Sequence, residues 1–125
     1  MFRDEGILVV HHADSYLEPI VEDMADIGID VWQGVLPQND IPKIQRMLDG
    51  RMGLMGGIDA AAVDIDNVPE EIIRAEVRRT CEEYVPGGNF IPNLPNDLGN
   101  RAIHPRADKI IDYEIRIQSK RFFLE

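Results

Sequence analysis

Short apolar segments alternate with stretches of helical periodicity four times along the chain. The segments cover residues 6–10, 28–32, 52–56 and 88–91, and each contains or is entered by glycine. They are too short for helices and lack the strict apolar–polar alternation of a half-exposed strand. Such runs are typical of parallel strands that are buried on both faces. The sequence therefore predicts four parallel strands.

The stretches between the segments carry helix signals. Ser15 and Glu18 have the spacing of a capping box, and Asn39 or Asp40 can cap a second helix. Pro69 suits the first turn of a third helix, and Pro105 that of a fourth. The predicted helices cover residues 15–27, 40–48, 69–84 and 104 to the C-terminal end.

This order of elements predicts an α/β fold made of four β/α units. Two parallel architectures fit it, a doubly wound open sheet and part of a (β/α)8 barrel. A complete barrel takes about 250 residues, and this chain has 125. The first segment is not followed by a glycine-rich phosphate loop, which weakens the dinucleotide-binding form of the open sheet. We therefore predict one domain, residues 1–125, that forms half of a TIM-type (β/α)8 barrel.

The composition of the chain argues against several classes of binding partner and of site. The chain has 13 basic and 23 acidic residues and a formal charge of −10, which argues against nucleic acid and against an anionic membrane surface. Its single cysteine, Cys81, excludes an internal disulfide framework and a multi-cysteine zinc site. No apolar run approaches the roughly 20 residues that span a bilayer, and the N-terminal residues do not resemble a signal peptide. These features predict a cytoplasmic protein.

Polar residues collect where the predicted strands end, which is where both architectures bind ligands. We assign His11 and Asp59 as candidate catalytic residues, because they could carry out acid–base work or hold a metal together. The candidate substrate-binding residues are the other polar groups at these ends, namely His12, Asp14, Gln33, Asn93, Asn96 and Asp97.

Structural roles remain open for several of these residues. Side chains alternate along a strand, so only one of His11 and His12 can face the barrel axis, and the other packs under a helix. Asp14 could belong to the cap of the following helix. Asn93 and Asn96 flank Pro95, where a turn would explain them equally well.

Three segments carry a resemblance to a known family: GILVVHHADSYLEPIVEDMADIGIDVWQGV, GLMGGIDA and GGNFIPNLPND. In order and spacing they resemble the C-terminal half of the uroporphyrinogen decarboxylase superfamily. That superfamily includes the decarboxylase of haem biosynthesis and the corrinoid-dependent methyltransferases. The resemblance covers essentially the whole chain, from the fifth barrel strand to the last helix. It implies a (β/α)8 barrel with its pocket at the carboxyl ends of the strands.

The resemblance also bears on individual residues. Zinc-dependent methyltransferases of the superfamily carry a His-x-Cys pair at the end of the first of these strands and a further cysteine after the last. His11 matches the histidine, but Ala13 stands at the first cysteine and Asn96 or a neighbour at the second. The Gly-His-Gly pattern of the decarboxylases corresponds here to Pro95-Asn96-Asp97. The thiolate zinc ligands and the decarboxylase histidine are thus absent, which argues against a zinc site of that kind; a corrinoid on a partner protein is the cofactor that the resemblance leaves open.

The resemblance implies transfer of a methyl group from a small methylated or methoxylated substrate to a corrinoid held by a partner protein. A decarboxylase acting on tetrapyrroles and a non-catalytic binding or assembly module are the alternatives. Half a barrel leaves two open sheet edges, which invite pairing. We therefore expect a homodimer that closes the barrel, the remainder of a longer parent barrel, or another partner at these edges, and an inactive isolated half.

Overall fold

The computed structural model describes residues 3–95 and 102–123. Its four strands are β1 (Val10–His12), β2 (Val31–Val35), β3 (Gly53–Gly57) and β4 (Phe90–Asn93). The helices between and after them are α1 (Val21–Asp26), α2 (Ile41–Leu48), α3 (Ala60–Val63), α4 (Glu70–Tyr84) and α5 (Pro105–Phe123). Short 3-10 turns occupy Arg3–Glu5, Glu18–Ile20 and Val85–Gly87.

The strands form one parallel sheet in the order β1-β2-β3-β4. Trp32 pairs with His11 on one side and with Leu54 on the other, and Leu54 pairs with Phe90. Each strand thus lies beside its predecessor in the chain, with a helical connection between them. The predicted α/β class with parallel strands is confirmed.

The helices form a single layer. The helices α1 and α2, α2 and α4, and α4 and α5 contact each other in turn. Trp32, Leu54 and Phe90 point into this layer and are buried. The residues next to them along the strands, such as Met55 and Ile91, leave the sheet on the opposite side. In the described ranges no helix covers that side, which we call the helix-free face; its strand side chains are Val10, His12, Val31, Gln33, Met55 and Ile91, and Leu8 lies beside them.

Two apolar clusters lie under the helices. The first joins Trp32 and Leu54 of the sheet to α1 and α2, with Ile44 and Leu48 among its buried residues. The second joins α3, α4 and α5 beyond the ends of β3 and β4, and its buried members include Ile58, Val63, Ile73, Val77, Leu94 and Ile111. Both clusters lie on the helix side of the sheet, so neither covers the opposite face.

The predicted burial of the first strand on both faces is wrong. The strand begins at Val10 rather than at Gly6, and all three of its residues are exposed. Leu8 and Val10 remain 74% and 56% exposed, because they lie at the sheet's edge on the side that no described helix covers. The run of apolar residues in this segment matches the pattern of a buried strand. In the fold, however, no described helix covers these residues.

The predicted capping box is also wrong. The chain makes a 3-10 turn at Glu18–Ile20, and α1 begins at Val21 without a side-chain cap. The Glu18 carboxylate is held instead by Tyr16 and Lys43, at 2.6 Å from each. By contrast, Asp40 caps α2 as predicted and accepts a hydrogen bond from the backbone of Lys43.

The sequence predicts no membrane-spanning segment. Within residues 3–95 and 102–123, no helix combines the length and the apolar character that crossing a bilayer requires.

Candidate functional site

Three of the predicted site residues meet at the carboxyl end of β1. The Nδ1 atom of His12 is hydrogen-bonded to Oε1 of Gln33, its partner residue on β2. The Nε2 atom of His12 lies 3.4 Å from Oδ2 of Asp14. Gln33 is 8% exposed, whereas the histidine ring remains accessible. We call His12, Asp14 and Gln33 the imidazole cluster; it lies on the helix-free face.

A bulge in β2 makes room for the carboxylate of this cluster. The register with β3 shifts between Gln33 and Val35, and Gly34 adopts a φ of +100°. A Cβ atom at Gly34 would lie 2.5 Å from Oδ1 of Asp14 and 2.9 Å from the carbonyl oxygen of Ala13. Glycine alone allows both this backbone conformation and the close approach of Asp14.

Backbone and side-chain hydrogen bonds hold the segment that carries Asp14. The indole N–H of Trp32 donates to the carbonyl of Ala13 at 2.9 Å. The amide N–H of Ala13 donates to the carbonyl of Gln33 at 3.0 Å. The position of Asp14 is therefore set by two links between the end of β1 and the strand beside it.

Asn39 holds the next part of the same segment and was not predicted as a site residue. Its buried side chain donates to the carbonyl of Ser15 at 3.0 Å and accepts from the amide of Leu17 at 3.2 Å. It also donates to the carbonyl of Leu36. The sequence marked this asparagine only as a potential helix cap, and its link to a segment 24 residues away leaves no local pattern.

Tyr16, Glu18 and Lys43 form a charged group at the far end of the segment that follows β1. The hydrogen bond from Lys43, and next that from Tyr16, lowers the pKa of Glu18 below its usual value. The same contact raises the pKa of the Tyr16 hydroxyl, mainly because Glu18 accepts its proton in a hydrogen bond. At neutral pH this group thus contains a carboxylate paired with an ammonium ion, a fixed tether between the β1–α1 segment and α2.

The two predicted catalytic residues are not brought together. His11 pairs with Trp32 in the row that points towards the helices, so its side chain leaves β1 on the opposite side from His12. Asp59 follows β3, two strand spacings of about 4.8 Å each from β1. Its carboxylate caps α3 by accepting from the amide of Ala61 at 3.0 Å. His11 and Asp59 therefore do not form a pair around one ligand in this arrangement.

The surroundings of Asp59 are dominated by an arginine. A cleft of about 340 Å³ is lined by Asp59, Glu76 and Arg79 among others. Arg79 donates to Glu76, to Glu83 at 2.9 Å and to the carbonyl of Gly57 at 3.1 Å. Its hydrogen bonds with Glu76 raise the pKa of the guanidinium. These contacts tie the end of β3 to α4, which is a structural role.

The remaining predicted residues follow β4. Asn93 pairs with Gly57, and its carbonyl oxygen accepts from the amide of Ile58 at 3.3 Å. Its side-chain oxygen is buried and accepts no hydrogen bond from the part of the chain that is described. Asn96 and Asp97 lie outside the described residues.

The third histidine joins two helices. Asp64, just after α3, accepts from the amides of Ile103 and His104 at 2.7 and 3.0 Å and from the His104 ring at 3.0 Å. Burial alone would raise the pKa of Asp64, but these hydrogen bonds outweigh it and lower the pKa. This junction anchors the start of α5 and stands apart from the imidazole cluster.

The side chains of the imidazole cluster are suited to proton transfer. In the ranges that the structure covers, no group of three His, Cys, Asp or Glu side chains is arranged to hold a metal ion. A partly exposed imidazole beside a carboxylate can give a proton to a bound molecule or take one from it. The imidazole cluster is therefore the candidate site, with His12 as its reactive group.

Comparison with known proteins adds no assignment. No family model matches this chain, and no curated protein matches it.

Proposed function

We propose that the chain is half of a (β/α)8 barrel of the uroporphyrinogen decarboxylase superfamily and takes part in corrinoid-dependent methyl transfer. The observation that carries the proposal is the single helix layer over a sequentially ordered parallel sheet. A doubly wound sheet has helices on both faces, whereas a barrel has them only outside. The helix-free face then corresponds to a barrel interior, and the imidazole cluster lies at its carboxyl end, where barrel enzymes bind substrate.

The proposed chemistry requires protonation of a leaving atom. When the bond between a methyl group and an oxygen or nitrogen breaks, the electron pair remains on the oxygen or nitrogen. A proton from the His12 imidazolium would neutralise that atom as the bond breaks. The corrinoid, carried by a partner protein, would supply the low-valent cobalt that accepts the methyl group.

The other two members of the cluster would prepare His12 for this step. The Asp14 carboxylate, 3.4 Å from Nε2, would form an ion pair with the ring when the ring is protonated. Gln33 fixes the orientation of the ring through Nδ1. His12 is therefore the proposed general acid, while the catalytic roles of His11 and Asp59 stay predictions.

The test is methyl transfer to cob(I)alamin from methoxylated aromatics and methylated amines, followed by cobalamin absorbance. His12→Gln should lower kcat about 100-fold or more, as expected for the loss of a general acid. His104→Gln is the matched control, because it makes the same change at a histidine that contacts Asp64 and stands apart from the imidazole cluster. It should leave kcat within about twofold. An active protein in which His12→Gln is harmless, or no transfer from any of these donors, would refute the proposal.

A non-catalytic assembly role is the second candidate. Leu8, Val10 and Ile91 expose aliphatic surface on the side of the sheet that the helices leave open. Surfaces of this kind mark sites of association. In that case His12→Gln would leave every measured property of the complex unchanged.

A further inference from the structure

The helix-free face presents apolar surface that no described element covers. Leu8, Val10 and Ile91 are 74%, 56% and 49% exposed. A hollow of about 690 Å³ lies between Leu8 and Ile91 and is also lined by Val31 and Gly53. Contiguous aliphatic surface of this kind is uncommon on monomeric proteins and marks a site of association.

The two charged side chains that line this hollow are already engaged. Asp30 accepts a hydrogen bond from the amide of Val9 at 2.8 Å. Arg51 lies 3.3 Å from Glu22 and 3.2 Å from Asp26, both on α1. This hollow therefore offers little charge to a partner, so the surface that fills it is apolar as well.

The same sheet has two open edges. The strands β1 and β4 are the outer members of the sheet, and among the described residues each pairs on one side only. Both run in the same direction, because all pairings are parallel. Open edges of this kind are sites where a further strand adds.

We propose that two copies of this chain close on each other through the helix-free face and form one eight-stranded parallel barrel. A two-fold axis along the strands places β1 of each copy beside β4 of its partner and keeps every pairing parallel. Eight strands are the number at which side chains fill the interior of a barrel. A second copy supplies the four missing strands and an equally apolar face. Closure also removes both open edges at once.

The outer edge of β4 can form only an incomplete ladder with an added strand. Pro92 has no N–H, so the new ladder lacks one bond, and the apolar faces supply most of the association.

Sedimentation velocity over a wide range of protein concentrations is the first test. We expect a species of twice 14.2 kDa that dissociates on dilution. Val10→Lys should weaken the dimer at least tenfold. Ile72→Lys is the matched control, because Ile72 is 51% exposed on α4, in the helix layer, and its substitution should leave the dimer unchanged. A monomer at every concentration, growth beyond the dimer, or equal effects of the two lysines would overturn the proposal.

Disulfide trapping tests which edges meet. In a Cys81→Ala background, Val10→Cys and Ile91→Cys place one thiol on each outer strand. Within one copy these strands are three spacings apart, about 14 Å, whereas a disulfide needs Cα atoms within about 7 Å. Oxidation should therefore give covalent dimers that a reductant reverses. Monomeric product from a protein that sediments as a dimer would show that β1 and β4 do not meet, and would overturn the barrel.

The inference rests on the sheet and not on the proposed chemistry. A dimer without methyl transfer would remove the proposed function alone. A monomer whose methyl transfer depends on His12 would remove this inference alone.

Discussion

Gly34→Ala tests whether the bulge in β2 positions the carboxylate of the imidazole cluster. The new methyl group would lie 2.5 Å from Oδ1 of Asp14 and 2.9 Å from the carbonyl oxygen of Ala13. The second contact is with backbone, so it cannot be relieved by a side-chain rotation. Either Asp14 moves away from His12 or the end of β1 separates from β2.

Two contributions set the expected loss of stability. A non-glycine residue with a φ of +100° carries about 1–2 kcal/mol of strain. Overpacking against fixed atoms adds about 1–3 kcal/mol. We expect the free energy of unfolding of Gly34→Ala to fall by about 2–5 kcal/mol. Gly6→Ala is the control, since Gly6 has a φ of +73° with open space around it, and it should lose about 1 kcal/mol.

Urea unfolding measures both variants, and the NMR signals of the His12 ring report whether Asp14 has moved. Gly34→Ala should shift these signals to the same extent as Asp14→Asn does. A loss of stability equal to that of Gly6→Ala, with an unchanged His12 ring, would refute the role assigned to the bulge.

Three further predictions concern single side chains. The pKa of Asp64 is lowered in the folded protein, so its stabilisation is present above about pH 4 and is lost as the pH falls through the folded-state pKa. Asp64→Asn should therefore flatten the acid side of a stability–pH profile, and an unchanged slope would contradict this. Asn39→Ala should lower the free energy of unfolding in urea by about 2–3 kcal/mol through lost buried hydrogen bonds, and a loss under about 0.5 kcal/mol would contradict its role as a clamp. Burial raises the pKa of Cys81 to about 11, so a thiol reagent at pH 8 should label it only on unfolding, and rapid labelling of the native protein would show that the thiol is accessible.

Much of the fold could be predicted from local pattern. Short apolar segments separated by amphipathic stretches predicted parallel strands with helical connections, and the sheet has them. Burial of the first segment could not be predicted in the same way. Leu8 belongs to a run that matches a buried strand, but its burial depends on which elements lie across the sheet, and no described helix covers it.

The site was only partly predictable for a related reason. Alternation along a strand shows that His11 and His12 point to opposite sides, but the side that carries the helices depends on the whole topology. The contact of Gly34 with Asp14 and that of Asn39 with Ser15 join residues about 20 positions apart, as their sequence numbers show. The spacing of residues along the chain does not indicate such contacts, because they arise from tertiary packing.

Both the proposed chemistry and the proposed dimer use the helix-free face. The most direct measurement is the accessibility of methyl groups to a soluble paramagnetic probe in NMR, at high and at low protein concentration. The methyl groups of Leu8, Val10 and Ile91 should be shielded at high concentration and exposed on dilution, while those of Ile72 stay exposed throughout. Methyl groups on the helix-free face that remain as accessible as Ile72 at every concentration would contradict the account.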